Sequence, residues 1–211
     1  MLSLAVFWTA CQSKPAAVEN TATPATTATP AIDNSINTPK FKVKDKSQYS
    51  ARFLAELQDH VMPQNGEVSL DGNTVIFHGD RMMLSPFNQL NETIVLKGNQ
   101  NNINIELSIK AVNYSSIEYT MLLQENGKSH TSSGQAHVPA TFFLGSESIE
   151  NPADGISILA HNFSIDAKDD CYGEITIAKD EKTNKFIGKI FKNCNGKLSE
   201  LDQDNSPFLS E

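Results

Sequence analysis

After residue 66 the apolar positions of the chain fall into a period of two, the repeat of a strand with one buried and one wet face. The clearest case is "INIELSIKA". Ile103, Ile105, Leu107, Ile109 and Ala111 share one side of it, and Asn104, Glu106, Ser108 and Lys110 share the other. Val68–Leu70 and Thr74–His78 flank Asp71-Gly72-Asn73, a short hairpin. Ile117–Leu123 leads into Asn126-Gly127, the pair favoured by a type I′ turn, and the register of that turn sets His130 opposite Leu123. Further strands are expected at Ala136–Val138, Thr141–Leu144, Ile156–Leu159 and Phe163–Ile165.

The stretch "CYGEITIAKDEKTNKFIGKIFKNC" reads as another hairpin, turning at Asp180–Lys185. If the turn is symmetric, cross-strand partners have numbers summing to 365, so Ile175 faces Ile190, Lys179 faces Phe186, and Cys171 faces Cys194. Directly opposed residues lie about 4.5–5.5 Å apart at Cα, a separation that a disulfide tolerates. Eight to ten short strands imply a mainly β fold, an antiparallel sandwich or barrel with a disulfide-linked C-terminal hairpin.

Before residue 66 the period lengthens. In "ARFLAELQDHVM", Phe53, Leu54, Leu57 and Val61 fall on one helical face, with Ser50 as the N-cap and Pro63 and Gly66 as terminators. Ahead of it, "KFKVKDK" alternates lysine with Phe41 and Val43. That pattern suits an edge strand or a solvated lead-in, and a contact with anionic lipid headgroups is the second reading. The final stretch, "LSELDQDNSPFLSE", is acidic and is expected to fray. The resulting domain scheme is one β-rich domain over 47–199 and an acidic flexible tail over 200–211.

Composition adds a different kind of segment. "KPAAVENTATPATTATPAIDNSINTPK" is dominated by Thr, Ala, Pro and Asn and cannot bury enough surface to offset the entropy of ordering it. Some 35 residues of this kind have a reach of roughly 30 Å. The whole chain of 211 residues carries a formal net charge of -8. That acidity argues against sequence-independent nucleic-acid binding, which needs a basic footprint. No apolar run is long enough to cross a bilayer as a helix.

The first residues, "MLSLAVFWTACQ", place an apolar stretch and then Ala10 directly before Cys11. This resembles the lipobox of bacterial lipoproteins, although Trp8 stands where that family usually has leucine. The resemblance covers about eleven residues and implies a signal peptide over 1–10, cleavage before Cys11, and lipidation of Cys11. Residues 11–46 then form a lipidated tether, and Gln12 after the cysteine resembles outer-membrane sorting. Three cysteines also divide sensibly this way, with Cys11 on lipid and Cys171–Cys194 as a structural pair. The absence of a C-x-x-C spacing favours a clamp over a redox site.

Candidate chemistry is sparse. A zinc site wants two or three histidines converging with carboxylates or thiolates. His130 and His137 are the nearest candidates, but seven residues apart on one regular strand they face opposite sides. Only a bulge at Gly134 would join them. His78 with Met82 and Met83 offers soft ligands, though core or loop packing explains the methionines better. Asp166, Asp169 and Asp170 lack the spacing of an EF-hand loop. Ser132 and Ser133 sit near histidines without any G-x-S-x-G or H-E-x-x-H frame, and no phosphate-cradling loop occurs. No catalytic residue and no cofactor are therefore nominated. Sequons at Asn91, Asn113 and Asn162 carry little weight in a bacterial chain.

The leading expectation is a non-enzymatic envelope lipoprotein: a β-rich module, anchored to the outer membrane on its periplasmic side or at the cell surface. Its partners would be the membrane, through the lipid, and another envelope protein, a small ligand or a cell-wall component. The 124–137 hairpin and the Asn151–Gly155 loop are its candidate surface. The alternatives are a periplasmic hydrolase or metal-dependent enzyme with a site built from scattered residues, and an inhibitor of lysozyme-like enzymes. A pocket where histidines and carboxylates converge would favour the enzyme.

Overall fold

The computed structural model describes residues 41–61, 67–141, 147–168, 171–193 and 207–211. The chain divides into two units, Met1–Ser35 and Ile36–Glu211, and everything described belongs to the second.

A small sheet opens the domain. Strand β1 (Phe41–Val43) runs parallel to β2 (Val68–Asp71), and β3 (Thr74–Phe77) and β4 (Asp80–Met83) continue as an antiparallel meander. Gly72 at φ 59° makes the first turn, and His78 and Gly79 at φ 51° and 92° make the second. The "KFKVKDK" segment is thus an edge strand, and its lysines meet acids: Lys42 pairs with Glu67, and Lys44 with Asp71 at 3.1 Å.

Helix α1 (Ala51–Val61) begins as its sequence indicates. Ser50 Oγ accepts a hydrogen bond from the Phe53 backbone N–H at 3.1 Å, satisfying one of the free donors of the first turn. Phe53 and Leu57 on its apolar face are fully buried, and Leu54 packs beside them. Pro63 and Gly66 lie outside the described residues.

Eight strands close into a barrel, which decides between the two β architectures. Strands β5 (Thr93–Gln100), β6 (Ile103–Asn113), β7 (Ser116–Glu125) and β8 (Lys128–His137) form one antiparallel meander. Strands β10 (Ile156–Lys168), β11 (Cys171–Asp180), β12 (Lys185–Asn193) and β13 (Phe208–Ser210) form a second. Two short seams join them. Ala136 and His137 pair with Ile165 and Ser164, and Ser210 pairs with Lys97. Strand β9 (Glu147–Asn151) is added alongside the first half of β10.

Within each meander the register is long, with one shift in each, between Ala111 and Asn113 in β6–β7 and between Ile165 and Lys168 in β10–β11. The β11–β12 pairing keeps the expected sum of 365 from Tyr172↔Asn193 to Asp180↔Lys185. Cys194 lies outside the described residues, and with it the bridge to Cys171.

The inward positions are filled. Leu96, Leu107, Ile109, Ile117, Met121, Phe163, Ile175, Ile190 and Leu209 are fully buried in one cluster. An eight-stranded barrel is just wide enough for its own side chains. Two inward glycines show how tightly this one is filled. A Cβ on Gly98 would lie 2.6 Å from Leu209, and one on Gly188 would lie 2.8 Å from Leu96. Each glycine leaves room for the large side chain opposite, the small–large alternation of a tapered barrel.

The same core continues into α1 and the small sheet through Tyr49, Val68, Leu70, Val75 and Phe87. Polar contacts fasten this cap to the β6–β7 turn. Ser50 N donates to Ser115 Oγ at 2.8 Å and Tyr114 N to the Gln48 carbonyl at 3.0 Å, while within the cap Tyr49 O–H donates to the Gly72 carbonyl at 2.7 Å. Asn73 holds the buried Leu84–Phe87 segment: its amide donates to the Ser85 and Phe87 carbonyls and accepts from Ser85 N. A second, smaller apolar cluster joins Ile149, Ala160, Ala178 and Ile187.

Several sequence expectations need correction. Ile156–Leu159 and Phe163–Ile165 belong to one continuous strand, because the polar His161 and Asn162 between them are tolerated within β10. Thr141 sits in a turn, and 142–146 lie outside the described residues. The chain does not fray at its very end. Phe208–Ser210 is a barrel strand with Leu209 fully buried, and the Glu211 carboxylate accepts a hydrogen bond from Phe186 N at 2.9 Å. Strands β4, β5, β9 and β13 are absent from the sequence reading altogether.

Candidate interaction surface

The strand with least apolar character is exposed along most of its length. From Lys128 to Gln135, β8 reads "KSHTSSGQ", and every residue is exposed except Ser132, which is half-buried. One side of this segment pairs with β7, from Tyr119↔Gly134 to Glu125↔Lys128. On its other side, pairing with β10 begins only at Ala136. Among the described residues, then, Lys128–Gln135 forms a sheet edge whose backbone groups face outward from the barrel wall. Such an edge is a template for another strand.

Neither a bulge nor a proline blunts this edge. The β7–β8 register has no shift over its whole length, so no bulge bends the strand away, and proline is absent from it. Asn126 to Val138 contains no acidic residue, in a protein of net charge -8. Asn126 and Gly127 at φ 48° and 74° make the turn that the sequence indicates.

The other sequence candidates disperse. His130 lies opposite Leu123 and is exposed, while His137 is buried on the opposite face with Nε2 3.9 Å from Glu56 Oε1. The unbroken register removes the bulge at Gly134 that would have joined them. Ser132 and Ser133 likewise point to opposite faces of β8. His78 occupies the β3–β4 turn with its ring 4.2 Å from that of Phe77. Met82 packs against the core and Met83, its neighbour on the other face, is half exposed, so the three soft ligands do not converge.

Asp169, Asp170, Cys11 and Cys194 lie outside the described residues, as do the side chains of Asp166, Cys171 and His60. Among the described residues no group of three or more His, Cys, Asp or Glu is placed to hold a metal ion. No described helix is long and apolar enough to cross a membrane.

The two proposed recognition loops are also separate. Strand β10 starts beside the Asn151–Gly155 turn and meets β8 near its other end, at Ser164 and Ile165, while the Asn126-Gly127 turn lies further on in that direction. They therefore sit at opposite ends of the strand system. The 151–155 turn is self-contained: Gly155 N donates to the Asn151 carbonyl at 2.8 Å, and Ala153 N to Asn151 Oδ1 at 3.0 Å.

His161 and Glu174 are among the described groups with displaced protonation equilibria. Burial pushes His161 down to about 4, against the opposing effect of a hydrogen bond to the Leu84 backbone, so its imidazole is neutral near pH 7. Glu174 is held above the usual carboxylate range, first by burial and then by the neighbouring Glu147 charge, with a hydrogen bond from Thr176 working the other way. His161 lies in the inward row of β10 and Glu174 in the outward row of β11, so they do not form an acid–base pair. Comparison of the chain with protein-family models, curated proteins and solved structures finds no significant match.

Proposed function

We propose that this protein is an envelope lipoprotein whose barrel domain is a non-enzymatic interaction module. The carrying observation is the contrast between a barrel interior filled by its own side chains and, among the described residues, an exposed sheet edge without a bulge along Lys128–Gln135. A filled interior speaks against a ligand held inside the barrel. Such an edge suits recognition by strand addition, in which main-chain hydrogen bonds supply affinity.

In this reading Cys11 carries the lipid, residues 12–40 form the leash, and the domain stands near the outer membrane on its periplasmic side or at the cell surface. The hairpin register supports a Cys171–Cys194 bridge, since extending the 365 sum by one pair beyond Tyr172↔Asn193 sets the two cysteines opposite each other. The acidic net charge fits a protein partner better than nucleic acid.

The test has two arms. Cys11→Ser should move the protein from the membrane fraction to the soluble fraction, and continued sedimentation with membranes would remove the anchor. Capture from envelope extract should depend on the β8 edge, and capture unaffected by Thr131→Glu would place the binding surface elsewhere.

A further inference from the structure

We propose that His161 is an acid-released latch: protonation of its imidazole frees the Leu84–Phe87 segment from the end of the barrel.

Leu84 is the joint between the small sheet and the barrel. Its N–H donates to the Asn73 carbonyl at 3.0 Å. Its backbone is also hydrogen-bonded to His161, in the inward row of β10. That bond favours the protonated ring, so the imidazole N–H donates and the Leu84 carbonyl accepts. The segment behind this joint is sealed. Leu84, Ser85, Pro86 and Phe87 are all buried, and the Phe87 ring lies 5.5 Å from that of Phe186 and 6.4 Å from that of Phe163. Both partners belong to the barrel core, and Phe186 stands beside the Asp180–Lys185 turn.

The surroundings of the ring suit only its neutral form. Ile177 lies opposite on β11, Phe163 is next in its own row, and the sealed segment brings Leu84, Ser85 and Phe87, none of which titrates. The charged group in the adjoining row is Lys179, whose ammonium lies over the Phe186 ring and would repel an imidazolium. Glu147 and Glu174 stand in outward rows, and Asp80 and Arg81 of β4 are exposed. Among the described residues no carboxylate acts on the ring. A second proton therefore enters a buried niche without a counter-charge, and the ion is relieved by reaching water.

The weaker wall gives way. Strand β10 is paired on both edges, with β11 on one and with β8 and β9 on the other. Leu84–Phe87 belongs to no strand and is held by Asn73 and by the joint at Leu84. Opening at this segment returns the ring to its ordinary proton affinity, so acid favours the open state. The aromatic mouth formed by Phe163 and Phe186 is then uncovered in acid and closed near neutral pH.

The experiment is hydrogen exchange on the full chain carrying Cys11→Ser, at pH 6.5 and at pH 4, read as protection over each amide's intrinsic rate. With the ring at its ordinary 6.5 when open and at about 4 when closed, protection of the Leu84, Ser85 and Phe87 amides should fall by about a hundredfold across that interval. The mid-barrel amides of Leu107 and Met121 should keep theirs. His161→Gln retains a donor but does not titrate, so it should abolish the fall. In the chain with His161 intact, the imidazole followed by NMR should stay neutral at pH 6.

No fall at 84–87, or a fall shared equally by Leu107 and Met121, would overturn the proposal. So would a fall that persists in His161→Gln, or a folded-state imidazole that titrates at its ordinary value.

Discussion

Leu209 occupies the space that a side chain at position 98 would need: a Cβ on Gly98 would stand 2.6 Å from Leu209 Cδ2 and 2.5 Å from the Phe208 carbonyl oxygen. The second contact is with backbone, which cannot rotate away. Gly98→Ala should therefore push β13 off β5 and destabilise by about 1–3 kcal/mol. Gly134→Ala meets only the Tyr119 ring at 3.1 Å and beyond, so it should cost less. Urea midpoints of the two variants, with the slope unchanged, check the ranking.

Removing the large partner tests the same packing from the other side. Leu209→Ala should cost about 2–5 kcal/mol, the range for a fully buried leucine that leaves a cavity. A loss within a few tenths of wild type would mean that β13 is not an integral barrel strand.

The Asn73 side chain makes three hydrogen bonds to one buried segment, at 2.7 and 3.1 Å to the Ser85 and Phe87 carbonyls and 3.0 Å from Ser85 N. Asn73→Ala leaves those main-chain groups without their partner, and a loss of about 2–3 kcal/mol is expected. Asn73→Asp keeps the acceptor but removes both donors, so it should be no better. Thermal melts of both variants decide the point.

Burial of His161 gives stability a definite pH dependence. Its folded pKa of about 4 is below the ordinary 6.5, so between those values the unfolded chain binds the extra proton. Stability from this group is complete above pH 6.5 and falls as pH drops towards 4, by on the order of 3 kcal/mol at most. Glu174 acts in the opposite sense, since its folded pKa is raised and its ionisation costs stability as pH rises. The difference between wild type and His161→Gln cancels that contribution. The expected result is a wild-type advantage that shrinks on acidification, and a flat difference from pH 7 to 4 would contradict it.

For the Cys171–Cys194 pair, peptide mapping without reductant should recover 171 joined to 194. Reduction should lower stability by about 3 kcal/mol, because a closed loop of this length constrains the unfolded chain. Two free thiols in protein isolated without reductant would remove the bridge.

Local instructions in this chain are plain where a turn or a cap dictates geometry. Asn126-Gly127 fixes β7 against β8, the Asp180–Lys185 turn fixes β11 against β12, and Ser50 starts α1. Long-range instructions are faint. Strand β13 has three residues beside a proline in an acidic stretch, and its place is set only by β12 and β5, far away in sequence. In β5 the alternation Ile94, Leu96 breaks at Gly98, where the apolar residue is supplied by Leu209 instead. Strand β8 shows no apolar period from 128 to 135 because neither of its faces is buried there. That same silence in the pattern marks the candidate surface, which only the three-dimensional pairing reveals.

The two seams have a consequence for how the molecule assembles. Each meander is contiguous along the chain, 93–137 and 156–210, whereas the seams amount to Ala136↔Ile165, His137↔Ser164 and Ser210↔Lys97. Hairpins closed by near neighbours form quickly, and pairings between distant segments wait on the cost of closing long loops. The separation of the seams in sequence thus predicts two curved halves that meet late, with the rims of both bare in the interval. A newly made chain at this stage would be a natural client for holdase chaperones.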